Sequence, residues 1–189
     1  MFVGGIRIMV NPMNVYITQL AESARDNCEK KGIIEKNQYR LNEDTILKIV
    51  KFFNGELIKP DDKKCNELFE KYSNKDSNSF MLKKDDNSFI IGYKEFKLMD
   101  VLHELGHVFL EFNEMKVGEF RSCNDPQGDA SELDASKFAR VFAMPSRLFE
   151  SSVLKNTHNK ICNINSVAET FGVDYLQVVS HGRESYYWD

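Results

Sequence analysis

Phe96-Lys-Leu-Met-Asp-Val-Leu-His-Glu-Leu-Gly-His-Val-Phe-Leu-Glu111 is the stretch on which the reading of this chain turns. Its pattern predicts an amphipathic helix. Within a helix, the i, i+4 spacing of His103 and His107 sets both imidazoles on one face about one turn apart, so that two nitrogens reach one ion. Imidazole suits zinc, and a catalytic zinc site takes three protein ligands and leaves a fourth position for water. Glu104 follows the first histidine by one residue, so it flanks the metal without sharing the ligand face. There it can take a proton from the water that such a metal activates. The expected chemistry is hydrolysis of an amide whose carbonyl the metal polarises.

A third ligand has to come from elsewhere, and Glu132 on the next predicted helix is the candidate. Ala135, Ser136, Ala139 and Ala143 form a stripe of small residues on its face, while Leu133, Phe138, Val141 and Phe142 carry the bulk elsewhere. Gly106 sits beside the histidines, and small residues on both helices let them approach closely. Asp134 is the competing ligand. Its side chain is shorter and points about 200° around the helix from Glu132.

Outward from these two helices the chain alternates helical and strand signals. Asn14 to Lys30 reads as a helix stopped by Gly32, and Asn42-Glu-Asp-Thr45 announces a second that ends at Asn54-Gly55. Glu56 to Ile58 reads as a short strand before Pro60, Cys65 to Tyr72 carries a weak helical pattern, and Ser73 to Ser79 is a polar loop. Phe80 to Leu82 and Ser88 to Tyr93 are apolar runs separated by Lys83-Lys-Asp-Asp-Asn87, a hairpin leading into the motif helix. Phe112 to Ala130 reads as a long loop with Gly118, Pro126 and Gly128. The helix after it opens on a capping-box pattern, Ser131-x-x-Asp134, and stops at Met144-Pro145. The last forty or so residues read as one or two more helices. The fold class expected is α+β: mostly helical, with a sheet of about three strands packed on the motif helix. Residues 1–150 form the expected core and 151–189 a helical extension packed on it.

Composition narrows the function classes. Lys+Arg 25 against Asp+Glu 29 gives the 189-residue chain a net charge of -4, too mild for a general nucleic-acid or membrane-surface binder. Cys28, Cys65, Cys123 and Cys162 are scattered with no C-x-x-C pair, which predicts reduced thiols and a cytoplasmic protein. The apolar N-terminus, Met1 to Val10, lacks a basic leader and a cleavage site, and no later run is long enough to span a membrane.

With these segments in view, the chain resembles the ImmA/IrrE family of metallopeptidases. That family's pattern is a hairpin, the helix H-E-x-G-H, and a helix reading E-x-x-A-x-x-F-A that ends in M-P. The corresponding residues here are His103-Glu-Leu-Gly-His107, Glu132-Leu-Asp-Ala-Ser-Lys-Phe-Ala139 and Met144-Pro145, so the resemblance covers Phe80 to Pro145. It implies a small zincin-like domain of the gluzincin type, a zinc cofactor, and Glu132 as the glutamate ligand. It also implies cleavage of a DNA-binding repressor, commonly one encoded beside the peptidase on a mobile element. Val167-Ala-Glu-Thr-Phe-Gly-Val-Asp-Tyr-Leu-Gln-Val178 looks like the family's tail, with its helix-turn-helix flavour. The chain departs from the family at Lys97-Leu-Met-Asp-Val-Leu102, where an Arg and then Phe-Thr are usual.

Other residues carry weaker signals. Tyr93, His181 and Arg183 are oxyanion-stabiliser candidates by type, and Tyr93 is the substrate-binding candidate. His158 reads as a solvated loop residue and His181 as a surface one. The strand Ser88 to Tyr93 reads either as an exposed edge that binds an extended substrate or as a paired core strand. Two further functions compete: a catalytically silent zinc protein of the same fold, and a DNA-binding regulator. The second is disfavoured by the scarcity of positive charge from Asp174 to Arg183.

Overall fold

Helix α1, Pro12–Lys30, ends where Gly32 takes a left-handed φ of 70°. Asn42 opens α2, Glu43–Phe52, by accepting the Thr45 backbone N–H at 2.9 Å, and Asn54 closes it with φ 64°. The chain then forms β1 (Gly55–Ile58), α3 (Lys63–Tyr72), β2 (Ser79–Lys83), β3 (Phe89–Tyr93), and the motif helix α4 (Leu98–Glu111). Strand β4 (Phe120–Ser122) and helices α5 (Asp129–Ala143) and α6 (Ser146–Lys155) follow. A two-strand ribbon, β5 (Thr157–His158) with β6 (Ile161–Cys162), precedes α7 (Ile164–Phe171) and α8 (Tyr175–Glu184). This computed structural model describes residues 12–72, 77–122 and 129–185. Met1 to Val10, part of the polar loop after α3, and Cys123, Pro126 and Gly128 lie outside the described residues.

The sheet runs β1-β3-β2-β4, with β1 parallel to β3 and the other pairs antiparallel. Among the described residues it therefore has four strands, where about three were expected. The additional one lies inside the stretch read as a loop, where three residues are too few for an alternating pattern to be seen. Phe120 holds it by stacking on Phe80 at 4.9 Å. Strand β3 is interior, paired on both sides, so the exposed-edge reading of Ser88 to Tyr93 is corrected: the edges are β1 and β4. Period-2 alternation explains why β3 is apolar throughout. Phe89, Ile91 and Tyr93 face the main core under the helices, while Ile90 joins Ile58, Cys65, Phe69 and Phe80 beneath α3.

Helix α4 packs on this sheet and against α5, which also lies on α1. Arg25, buried on α1, donates from Nη1 to the Phe142 carbonyl at 2.8 Å and so ties α1 to the end of α5. Helix α5 starts two residues before the capping pattern, leaving Ser131 inside the helix with its hydroxyl free for another partner. Among the described residues beyond 151, the end of α6 is followed by the ribbon and two complete helices, α7 and α8. Val167, Phe171 and Val178 reach from these two helices into the main core, and Gly172 takes φ 69° in the turn between α7 and α8. Among the described residues no helix is long and apolar enough to cross a membrane.

A Cβ added at Gly106 would stand 2.8 Å from the Ala135 carbonyl oxygen and 3.0 Å from its Cα, both backbone atoms that cannot swing aside. Gly106→Ala is therefore expected to cost about 1–3 kcal/mol of stability. A urea midpoint equal to that of the parent protein would show that α4 and α5 have slack at this crossing.

Candidate metal centre

The helical register of α4 turns His103 and His107 toward α5, and both are buried with Glu104 between them. Helix α5 brings Glu132 against the pair. One carboxylate oxygen lies 3.0 Å from His103 Nε2, the other 3.2 Å from His107 Nε2, and the two Nε2 atoms are 3.1 Å apart. These three residues form a possible metal-binding group. Asp134 is not part of it. With bonds of about 2.0–2.2 Å, a tetrahedral ion holds its donors roughly 3.3 Å from one another, so the donor set fits a small divalent cation. Two imidazole lone pairs and a carboxylate at these distances repel one another unless positive charge lies among them.

The outward nitrogens are fixed too. His103 Nδ1 meets the Ser136 hydroxyl at 3.0 Å, and His107 Nδ1 meets Glu111 Oε1 at 3.3 Å. Partners on Nδ1 hold each neutral ring in the tautomer whose Nε2 carries the lone pair, which is the form that binds metal. Glu111 is itself gripped by the Ser131 hydroxyl, and Arg121 Nε on β4 lies 3.5 Å from its Oε2. The charge balance favours a cation here. Burial pulls the His107 pKa down, but hydrogen bonds to Glu111 and Glu132 carry it to about 9. Burial opposes ionisation of Glu132, yet its bonds to both histidines lower it to about 2.

Glu104, close enough to feel both histidines and Glu132, also reaches β2. The Ser79 hydroxyl donates to its Oε1 at 2.7 Å, while its Oε2 is buried with no hydrogen-bond partner among the described residues. Burial pushes this carboxyl above the usual range, against the pull of the two histidines and of Ser79. A cavity of about 530 Å³ lies one hydrogen-bonded residue away from the group, between α1, the end of α4, β4 and the start of α5. Glu111 and Ser131 stand both in its wall and in the chain of hydrogen bonds to His107, and Met13, Tyr16 and Leu110 supply its apolar surface.

The remaining candidates sit elsewhere. Tyr93 is buried, and its hydroxyl donates to Glu43 on α2 at 2.6 Å rather than to a group of the centre. Arg183 and His158 are exposed. His181 is not a surface residue: it is 1% exposed, with its ring edge-on to Phe149 at 4.5 Å. Ser79, Glu111 and Ser136 escaped the sequence reading as site residues. Glu111 and Ser136 were within reach of it, since each lies one turn beyond a metal donor on the same helix face. Ser79 left no such signal, because its place depends on how the sheet packs on α4.

A helix bearing His-Glu-x-x-His with a carboxylate supplied by the following helix is the arrangement of a metallopeptidase. Residues 94–180 match the Peptidase_M78 profile, described as the IrrE N-terminal-like domain, a match that supports membership of the ImmA/IrrE family. That span contains all three candidate metal donors and Glu104, and it runs on through the α7–α8 turn. No curated protein matches the chain.

His181 also sets an acid response. Burial, reinforced by Arg140 and Lys137, lowers its pKa to about 3, below the ordinary value of about 6.5. The unfolded chain therefore gains a proton at this residue below about pH 6.5 that the folded chain refuses, and stability falls as pH drops through that window. Each pH unit below it costs up to about 1.4 kcal/mol for this one group. His181→Phe should flatten the stability profile between about pH 5 and 6.5, where carboxylates are still ionised. An unchanged slope in urea titrations would assign the acid sensitivity to other groups.

Proposed function

We propose that the chain is a zinc-dependent endopeptidase, cytoplasmic, that cleaves a protein partner: a helix-turn-helix repressor of a mobile element or stress regulon. What supports this is the convergence of His103 Nε2, His107 Nε2 and the Glu132 carboxylate beside a buried, unpartnered Glu104 oxygen. Zinc, when bound, supplies a Lewis acid that acidifies a water and polarises a carbonyl. Glu104 Oε2 takes the proton of that water and later returns it to the leaving amine, the two roles of one general acid-base group. Its burial suits the second role, because a raised pKa makes the protonated form accessible near neutral pH.

Substrate approaches from the side of Glu132, whose side chain is 22% exposed while the histidines are sealed. Among the described residues β4 pairs only with β2, so its outer edge offers main-chain groups to an extended segment beside the cavity. In this reading the helices beyond residue 151 are an extension on the peptidase core that contributes to partner recognition.

Zinc-loaded protein incubated with the repressor encoded beside it is expected to yield defined fragments. Glu104→Gln should keep its zinc and lose cleavage by about 10²–10⁴-fold. Undiminished cleavage in that variant removes Glu104 from the chemistry, and an intact repressor beside the unaltered zinc protein leaves a silent zinc-binding regulator of the same fold. Glu111→Gln tests the support of His107: competition with a chromogenic chelator should show zinc affinity reduced by about 10–100-fold. Equal affinity would confine Glu111 to the cavity wall.

A further inference from the structure

Among the described residues only one of the two Glu104 carboxylate oxygens finds a partner. A glutamate χ3 torsion is broad and roughly two-fold, so either oxygen of an unanchored carboxylate can turn toward the histidines and its plane can drift. The Ser79 hydroxyl, fully buried, donates to Oε1 at 2.7 Å and leaves Oε2 on the side without partners.

We propose that Ser79 is a positioning residue for the catalytic base: its hydroxyl fixes the plane of the Glu104 carboxylate so that Oε2 meets the attacking water. This rests on Glu104 being the base. The bond persists through the reaction. As the water's O–H bond breaks, its proton goes to Oε2 and its oxygen bonds to the carbonyl carbon, whose π pair moves onto the carbonyl oxygen. Oε1, now the carbonyl oxygen of a neutral acid, still accepts from Ser79.

The surroundings hold Ser79 in place. Its own carbonyl accepts the Ser77 hydroxyl at 2.6 Å, and in the strand pairing it lies opposite Tyr93. Asn78 donates to Asp100 Oδ2 at 2.7 Å, one turn before Glu104 on the same face of α4. At the other end of β2, Lys83 Nζ donates to the Phe112 and Met115 carbonyls, each at 3.0 Å, where α4 runs out. Strand β2 is thus laced along α4 at both ends, and the serine hydroxyl arrives at Glu104 from a paired strand rather than a loop.

Acetohydroxamate binding to the cobalt(II)-loaded protein, followed by visible absorption, is the test, because a bound hydroxamate passes its N–OH proton to the base. Ser79→Ala is expected to weaken binding roughly 10-fold, the loss of one hydrogen bond to a charged group. Metal affinity should be unchanged and Ser79→Thr, which restores the hydroxyl, close to the parent. In the cleavage assay the same variant should lower kcat by a similar factor with KM unchanged. Added to Glu104→Gln it should cost nothing more, as befits a residue acting through that carboxylate. Should Ser79→Ala fail to fold, Ser79→Cys, similar in size and a poor donor, carries the same expectation. If Glu104→Gln weakens the hydroxamate but Ser79→Ala does not, or if Ser79→Thr is as impaired as Ser79→Ala, the positioning role is overturned. If Glu104→Gln itself binds like the parent, it is the assignment of the base that fails.

Discussion

Everything at the centre depends on how closely α4 and α5 cross at Gly106 and Ala135. Two helices with ordinary side chains at their contact sit about 8–10 Å apart, and the Glu132 carboxylate has only two methylenes with which to bridge toward the histidines. Removing one Cβ at Gly106 and keeping Ala135, Ala139 and Ala143 small lets the backbones touch. Bulk placed away from the seam locks the crossing: Phe109 of α4 stacks on Phe138 of α5 at 5.0 Å, and Phe142 continues the stack at 6.0 Å. Arg25 then pins the far end of α5 to α1. The apolar contacts set the distance, and the polar donors inherit it.

That crossing carries an electrostatic load. Glu104, Glu111 and Glu132 gather around two imidazoles, an excess of negative charge in a largely buried place. Without compensation such a cluster is destabilising. A proton relieves it in part, which is why His107 is driven up to about 9 even though burial acts against the charged ring. A divalent ion held by these residues would relieve it more fully and would compete with that proton for the same Nε2 lone pair, as metals do at any site whose ligands must be deprotonated. The features that make the histidine basic are the ones that make it a good ligand.

Much of this was legible in the residues. Helix positions follow from caps and stops that act locally, such as Asn42 and Asn54 around α2, and the hairpin Phe80 to Tyr93 follows from turn composition. The approach of Glu132 to the two histidines was readable because a small-residue stripe is itself a statement about helix approach. What escaped the reading has a common cause. Phe120 to Ser122 is a strand only because β2 offers it a partner, and Phe80 offers it a ring. His181 is buried because α8 carries its ring against Phe149 of α6, which no local pattern of a polar ring reveals. Tyr93 looked available by type, yet period-2 alternation sends it into the core with Phe89 and Ile91, where Glu43 satisfies its hydroxyl.

The division between the matched family region and the rest of the chain separates two tasks. His103, His107 and Glu132 all lie within residues 94–180, so the candidate metal donors are set by one helix pair and its aromatic stack. Ser79, the group proposed to hold the Glu104 carboxylate in plane, comes from outside that span, on a strand fixed by Asn78 at one end and Lys83 at the other. Metal binding and base alignment therefore depend on different packing interfaces, α4 on α5 for the first and α4 on β2 for the second. A disturbance of the sheet can leave the donor geometry whole while misdirecting Glu104. The converse does not hold, because moving α4 away from α5 carries Glu104 away from Ser79 as well.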